Sequence, residues 1–372
     1  MSERWDVIVT GLGAMGSAAA RELARRGLRV LGLDRYAPPH AHGSTHGRTR
    51  IIREAYFEDP AYVPLVQRAG WLWQELEREA GERLFVRTGG LMIGPEDGEL
   101  VRGARASAEQ HGLPHELLTS TEVRRRFPVL MPESNAVALL EPRAGVLFPE
   151  ACVRALLAGA TRDGATLRTG EPMLTWRVEG GVVRVATAIG EHIADRLVLA
   201  LGPWLPQFLS GGQIQLAVER QMQHWFAPRA DAERFSPDEL PIALWETSGR
   251  MFYTIPDFGD GVKIAVHHDG EITDPQRVRR TITEQEDANA RALLGRFLPD
   301  AAGELRDRAV CLYTNTSDEH FVIDHHPAHP EVVIASPCSG HGFKFATAIG
   351  EMVAKLTADE PVEGVSLFHC RR

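Results

Sequence analysis

A glycine-rich turn between a strand and a helix near the N-terminus, a second such turn near the C-terminus, and a long alternating stretch between them predict an α/β plus β fold. On this reading an α/β unit is assembled from both ends and a middle piece of the 372-residue chain, and a mainly antiparallel β-sheet is inserted into it. The length is enough for two cores. The expected division is 1–83, 146–215 and 320–372 for the first unit, and 84–145 and 216–319 for the second.

In chain order, residues 5 to 10 form a short apolar strand, followed by Gly11-Leu12-Gly13-Ala14-Met15-Gly16, an Ala-rich helix over 17 to 26, a turn at Gly27 and a strand closed by Asp34. This is a β-α-β unit of about thirty residues. Tyr62, Leu65, Val66, Ala69, Leu72, Trp73 and Leu76 recur at steps of three and four, which makes one apolar stripe of a helix. Pro64 is tolerated in its first turn. Residues 84 to 94 and 137 to 148 read as strands, and 149 to 163 as a helix ending at Gly164. A hairpin turns at Gly180-Gly181, and a buried strand spans 196 to 202. Residues 216 to 318 alternate as an antiparallel sheet does, interrupted by a helix near 285 to 297. A strand at 332 to 335, a glycine turn and a helix over 345 to 357 follow.

A hydrophobic content of 44% and a charged content of 24% are those of an ordinary globular chain. The net charge of −9 argues against nucleic acid and anionic membranes as partners. No apolar run spans a bilayer, and Met1-Ser2-Glu3-Arg4 runs directly into a strand, so the expectation is a cytoplasmic protein without a signal peptide. Cys152, Cys311, Cys338 and Cys370 form no Cys-x-x-Cys pair, so neither a disulfide framework nor a zinc site is expected. His320, His325, His326 and His329 fit no standard metal spacing, Pro327 and Pro330 mark a loop, and no metal is expected.

Gly11, Gly13 and Gly16 are a dinucleotide fingerprint: the first permits the tight turn, the second lets a pyrophosphate approach the backbone, and the third lets helix and strand pack closely. Asp34 stands where a carboxylate accepts hydrogen bonds from ribose hydroxyls. This Rossmann-like signature does not choose between NAD and FAD. Ser339-Gly340-His341-Gly342-Phe343-Lys344 follows a buried strand and opens a helix, so it offers backbone N–H groups to a second polar part of a cofactor. A grip from both ends suits a long molecule such as FAD.

Lys263 and His267 share one face of a strand, and an inward lysine either snorkels outward or acts on something. Taken alone, Cys311 reads as a small buried hydrophobe, Tyr253 and Tyr313 as aromatic packing, and Arg48, Arg50 and Arg53 as a solvated basic run.

Five blocks change that reading: residues 11 to 16, 34 to 53, 311 to 314, 318 to 321 and 339 to 345. In these, and along nearly the whole length, the chain resembles the monomeric sarcosine oxidase and N-methyltryptophan oxidase family of FAD-dependent amine oxidases. The resemblance implies an FAD-binding domain, a substrate domain roofing the flavin, and a covalent thioether from the ring to Cys311. It implies that Lys263 promotes the reaction with oxygen and that His267, Tyr253 and Tyr313 border the substrate. Arg53 and Lys344 are matched to the substrate carboxylate, Arg50 to the neighbourhood of the flavin ring, and Leu244 to the substrate pocket. Cofactor contacts are expected from Gly11, Gly13, Ala14, Met15, Gly16, Asp34 and Arg35. Further ones are expected from Ser44, Thr49, Arg50, Gly202 and Trp204, and from Cys311, Gly340, Gly342, Phe343 and Lys344.

The sequence departs from relatives at four places. Arg48 stands where aspartate is common, Leu244-Trp245 replaces a methionine-containing stretch, the turn between Tyr253 and Lys263 is one residue shorter, and Ser336-Pro337-Cys338 precedes the C-terminal turn. The expected activity is oxidation of an N-methyl amino acid, sarcosine first, to a primary amino acid, formaldehyde and hydrogen peroxide with O2, by a monomer. A bulkier N-alkyl or cyclic amino acid, such as N-methyltryptophan or pipecolate, is the alternative. An NAD-dependent dehydrogenase or a non-catalytic flavin module are remoter ones.

Overall fold

The computed structural model describes residues 4–209, 214–336, 339–362 and 366–370. Its N-terminal strand Arg4–Thr10 lies between Val30–Asp34 and Gly190–Leu199, parallel to both. Thr166–Thr169 extends the sheet beyond Val30–Asp34. On the other edge Gly190–Leu199 pairs twice, antiparallel to Val182–Thr187 near its start and parallel to His329–Ala335 near its end. The predicted hairpin at Gly180-Gly181 adds Thr175–Glu179. A sheet with parallel strands at its centre must be covered on its faces, and here helices cover one of them. The helix Ala14–Arg25 packs against Pro149–Arg162 and Ala346–Thr357. Its approach to the last of these is close: a Cβ at Gly350 would lie 2.8 Å from the Ala18 backbone.

A second eight-stranded sheet runs in the order Leu305–Asn315, Ala217–Phe226, Val262–His267, Arg250–Ile255, Ile242–Thr247, Gly90–Gly94, Val137–Glu141, Glu116–Thr119. All its pairings are antiparallel except Ile242–Thr247 with Gly90–Gly94. The helix Glu284–Phe297, opened by a capping box between Thr283 and Glu286, buries Ala290, Leu294 and Phe297 in the core of this sheet. Arg50–Ile52, Gly145–Leu147 and Phe85–Arg87 make a small third sheet. Among the described residues, no helix is long and apolar enough to cross a membrane.

Two expectations need correction. The strand expected at 196 to 202 begins at Gly190 and stops at Leu199, because Gly202–Phe208 turns into a 3-10 helix behind Pro203. The loop expected around Pro327 and Pro330 is a hairpin of Ile323–His326 and His329–Ala335, with Pro330 inside the second strand. Pro330 has no N–H to give, but its carbonyl accepts from His325 Nδ1 at 2.8 Å. The helices Glu99–Gln110 and Ser120–Arg126 were not foreseen. Pro337 and Cys338 lie outside the described residues.

Candidate active site

One continuous cavity runs from the N-terminal glycine turn to the C-terminal one. At its first end Gly11 has φ +83°, and a Cβ there would meet the Ala200 carbonyl at 2.5 Å, so the turn requires glycine. The helix Ala14–Arg25 begins at Gly13 with no side-chain cap and no acidic residue in its first turn. Its orphan N–H groups and positive dipole end face a wall formed by Gly13, Ala14 and Met15. Gly16 is not on that wall. A Cβ there would lie 1.7 Å from the Gly11 carbonyl, which makes it a packing glycine.

Asp34 is buried and borders the cavity, its carboxylate fixed by the Leu12 N–H at 2.7 Å and the Tyr36 N–H at 2.8 Å. A carboxylate has about four acceptor positions, so two remain for a ligand's hydroxyls. Arg35, Ser44, Thr49, Gly202 and Trp204 continue the wall. The indole Nε1 of Trp204 and the side-chain oxygens of Gln223 and Thr314, all in residues bordering the cavity, are buried without a hydrogen-bond partner among the described residues. Such groups are what a polar cofactor would satisfy.

Midway, Cys311 sits on Leu305–Asn315 opposite Gln221. Its Sγ lies 3.5 Å from the Ser44 carbonyl and 3.6 Å from Arg50 Nη2. The Arg50 guanidinium also donates to the carbonyls of Thr49 at 2.8 Å and Ser44 at 2.9 Å. Burial opposes its charge, but Cys311, Tyr253 and Glu150 outweigh that and raise its pKa.

Lys263 stands behind the wall rather than on it. Its Nζ donates to the Gly47 carbonyl at 2.8 Å and to the Thr49 carbonyl and hydroxyl at 3.0 and 3.3 Å, and it lies 5.0 Å from the Trp225 ring centre. Burial, then the Arg50 charge, push its pKa well down. The three oxygens around it nevertheless match the three donors of an ammonium. The Arg48 side chain pairs with Asp307 and Asp260 and lies 4.9 Å from the centre of the same Trp225 ring.

His267 Nδ1 lies 3.3 Å from the Tyr313 hydroxyl, and both residues border the cavity with Tyr253. Burial, with His268 next to it, pushes His267 down to about 3, so the imidazole is neutral. Burial pushes Tyr253 up to about 12 and Tyr313 well above the usual phenol range. Leu244, opposite Tyr253 in register, forms an apolar wall with Phe57, Leu100 and Met251.

At the far end Arg53 and Lys344 are both buried. Arg53 is already engaged: its Nη2 donates to both Glu58 oxygens at 2.7 and 2.6 Å, its Nη1 to the Ala55 carbonyl at 3.1 Å, and Tyr56 and Phe57 flank it. Burial favours a neutral Glu58, but Arg53, with His341 and Lys344 behind it, holds the carboxyl at about 2. Lys344 Nζ donates to the His341 carbonyl at 2.7 Å, and the Lys344 carbonyl accepts from Trp73 Nε1 at 2.8 Å, which ties the turn to the long amphipathic helix. Gly340, Gly342 and Phe343 complete the wall. A Cβ at Gly340 would strike the Tyr313 ring.

All the expected site residues therefore border one cavity except Gly16 and Lys263. Sequence reasoning missed Glu58. An acid five residues beyond a buried arginine was the available signal.

The chain matches the model of a family described as FAD dependent oxidoreductase over residues 6–356. It is 44% identical to the monomeric sarcosine oxidase of Streptomyces avermitilis, over all of this chain and 98% of the relative. It is 34% identical to the N-methyl-L-tryptophan oxidase of Yersinia pestis, over 96% of each. Among solved structures it resembles NikD, an unusual amino acid oxidase essential for nikkomycin biosynthesis, with a TM-score of 0.86 at 23% identity over 99% of this chain and 98% of that one.

Proposed function

The chain belongs to the FAD dependent oxidoreductase family, and from that premise we propose that it oxidises a secondary amino acid with an N-methyl group, sarcosine first, using oxygen. The observation that carries the reading is a single cavity with an uncapped helix N-terminus at one end, Cys311 and Arg50 midway, and two buried cations, Arg53 and Lys344, at the other. The full-length likeness to proteins named monomeric sarcosine oxidase and N-methyl-L-tryptophan oxidase supports the substrate class.

FAD fits these residues: Gly11, Gly13, Ala14 and Met15 would hold its pyrophosphate and Asp34 its ribose, while Cys311 would carry the ring through a thioether. Bound FAD supplies the acceptor for the hydride equivalent lost by the substrate and passes the electrons to oxygen, giving hydrogen peroxide. The protein's own contribution is positional and electrostatic. The Arg53 fork and the Lys344 point charge take the substrate carboxylate, which requires Glu58 to release Arg53. His267, Tyr253 and Tyr313 do not take a proton from an ammonium near neutral pH. The Arg50, Arg53 and Lys344 charges also disfavour a cation, so the amine reacts in its neutral form. Lys263, fixed behind Thr49, supplies a positive charge where oxygen is reduced. The imine product hydrolyses to a primary amino acid and formaldehyde. The name monomeric carried by relatives supports a monomer.

The apolar wall of Phe57, Leu100, Leu244 and Met251 favours a second reading, a bulkier N-alkyl or cyclic amino acid. Mixing the holoenzyme with sarcosine under nitrogen tests both. Bleaching of the visible flavin band, with recovery and peroxide on admission of air, supports the first. Bleaching only by N-methyltryptophan or pipecolate moves the substrate to the second. A flavin that none of them reduces overturns the proposed reaction.

A further inference from the structure

Glu141 ends the strand Val137–Glu141 beneath the loop that carries Arg53 and Glu58. It is 1% exposed, and both its oxygens are used: Oε1 accepts from the Glu54 N–H at 2.7 Å and Oε2 from the Ala55 N–H at 2.9 Å. Arg53 in turn donates to the Ala55 carbonyl, so its guanidinium is anchored to the residue whose N–H Glu141 holds. We propose that Glu141 is a positioning residue: its carboxylate clamps the backbone just after Arg53 and thereby aims the guanidinium at the substrate carboxylate. The inference rests on the reading that Arg53 binds that carboxylate.

The rest of the loop is held from a different element, while at its start Glu141 holds the backbone and Gln67 and Arg143 hold only the Glu54 side chain. The hydroxyl of Ser107, on the helix Glu99–Gln110, donates to the Tyr56 carbonyl at 2.5 Å. Gly103 on the same helix lets the Phe57 backbone approach so closely that a Cβ would lie 2.3 Å from its carbonyl oxygen. Neither contact constrains residues 53 to 55.

The clamp needs a carboxylate, because two N–H donors converge on two oxygens. Protonation or amidation would leave one oxygen to accept and place a donor against the other N–H. The charged groups that act on it are Arg53 and Glu54 on the loop, and Arg143, just beyond the strand, pairs with Glu54 at 3.3 Å. Glu116 on the neighbouring strand is in register with Leu140 and so lies on the other face. Burial pushes Glu141 up to about 7, against the pull of the two N–H groups and Arg53. The clamp is therefore complete above neutrality and is lost as the pH falls below it.

Propionate, a carboxylate without an amine, is titrated into the holoenzyme and followed by the flavin spectrum from about pH 6 to about pH 8.5, where propionate stays ionised. The wild type is expected to bind about tenfold tighter at the upper end. Glu141→Gln is expected to bind about tenfold more weakly there, with a flat profile. A Glu141→Gln protein with wild-type affinity and wild-type pH profile overturns the clamp. Arg53→Gln separates the two claims. If it binds propionate as the wild type does, the reading of Arg53 fails. If it loses binding while Glu141→Gln does not, only the clamp fails. Should Glu141→Gln not fold, amide exchange of Glu54 and Ala55 in the wild type decides: protection, corrected for intrinsic rates, must rise between pH 6 and 8, and a constant value overturns the proposal.

Discussion

Replacing Glu58 with glutamine would separate the two demands placed on Arg53. In the free protein the arginine is neutralised by Glu58, whose two oxygens each accept a short hydrogen bond from Arg53 Nη2, and substrate must compete for the same guanidinium. Holding Glu58 near 2 against an ordinary 4.5 corresponds to about 3 kcal/mol in favour of its charged form. Breaking a buried pair by neutralising one partner costs a similar amount, about 3–5 kcal/mol, because the other charge stays buried. Glutamine still offers one carbonyl acceptor, and the Ala55 carbonyl and two rings remain, so a net loss of about 2–3 kcal/mol is expected. The same change removes the competitor, so propionate should bind at least about tenfold more tightly, worth about 1.4 kcal/mol. Thermal melting of the holoenzyme with and without propionate reads both terms: the apo-ligand transition falls and the ligand-induced rise grows. The sign with pH follows from a depressed carboxyl. Wild-type stability from this pair is present above about pH 4.5 and is lost as the pH falls toward 2, whereas Glu58→Gln lacks that slope. Weaker propionate binding, or an unchanged melting temperature, would refute the reasoning.

Lys263→Met should slow reoxidation of the flavin by oxygen far more than its reduction by amine, measured separately by stopped flow; equal losses in both would remove the role given to its charge. Cys311→Ser should let flavin leave acid-precipitated protein that otherwise stays yellow, and a wild type that releases its flavin in acid rules out the thioether. With His267 near 3 and Tyr253 near 12, flavin reduction at saturating substrate should show no enzyme ionisation from these two between about pH 5 and 10. A pH-rate inflection that disappears in His267→Asn would contradict that.

The β-α-β unit was legible because its signals are local: Gly11 must be glycine to turn under Ala200, and Asp34 closes the next strand. The helix Glu99–Gln110 was not. Its buried face, Leu100, Val101, Ala104, Ser107 and Ala108, is mostly small, and Gly103 interrupts it where the Phe57 backbone passes. A small-residue stripe carries little periodic signal, since its size is set by a neighbour distant in sequence. Strand alternation correctly put Lys263 and His267 on one face, yet only His267 reaches the cavity. Thr49 and Arg50 intervene before Lys263, and that layering depends on the path of another loop. Glu58 was readable as a charge near Arg53, but its bidentate pairing needed the turn at Ala55 that Glu141 holds.

The order of strands has a consequence for biosynthesis. Arg4–Thr10 is synthesised well before its sheet neighbour Gly190–Leu199, and the strand beyond that, His329–Ala335, follows later still. The glycine turn after the first strand and the turn bearing Lys344 face the same space. Until that last strand and the turn after it are made, a nascent chain holds half of a cofactor groove, with apolar sheet edges waiting for partners. Truncation before residue 329 would therefore yield a chain with an open sheet edge along Gly190–Leu199 rather than a weaker enzyme.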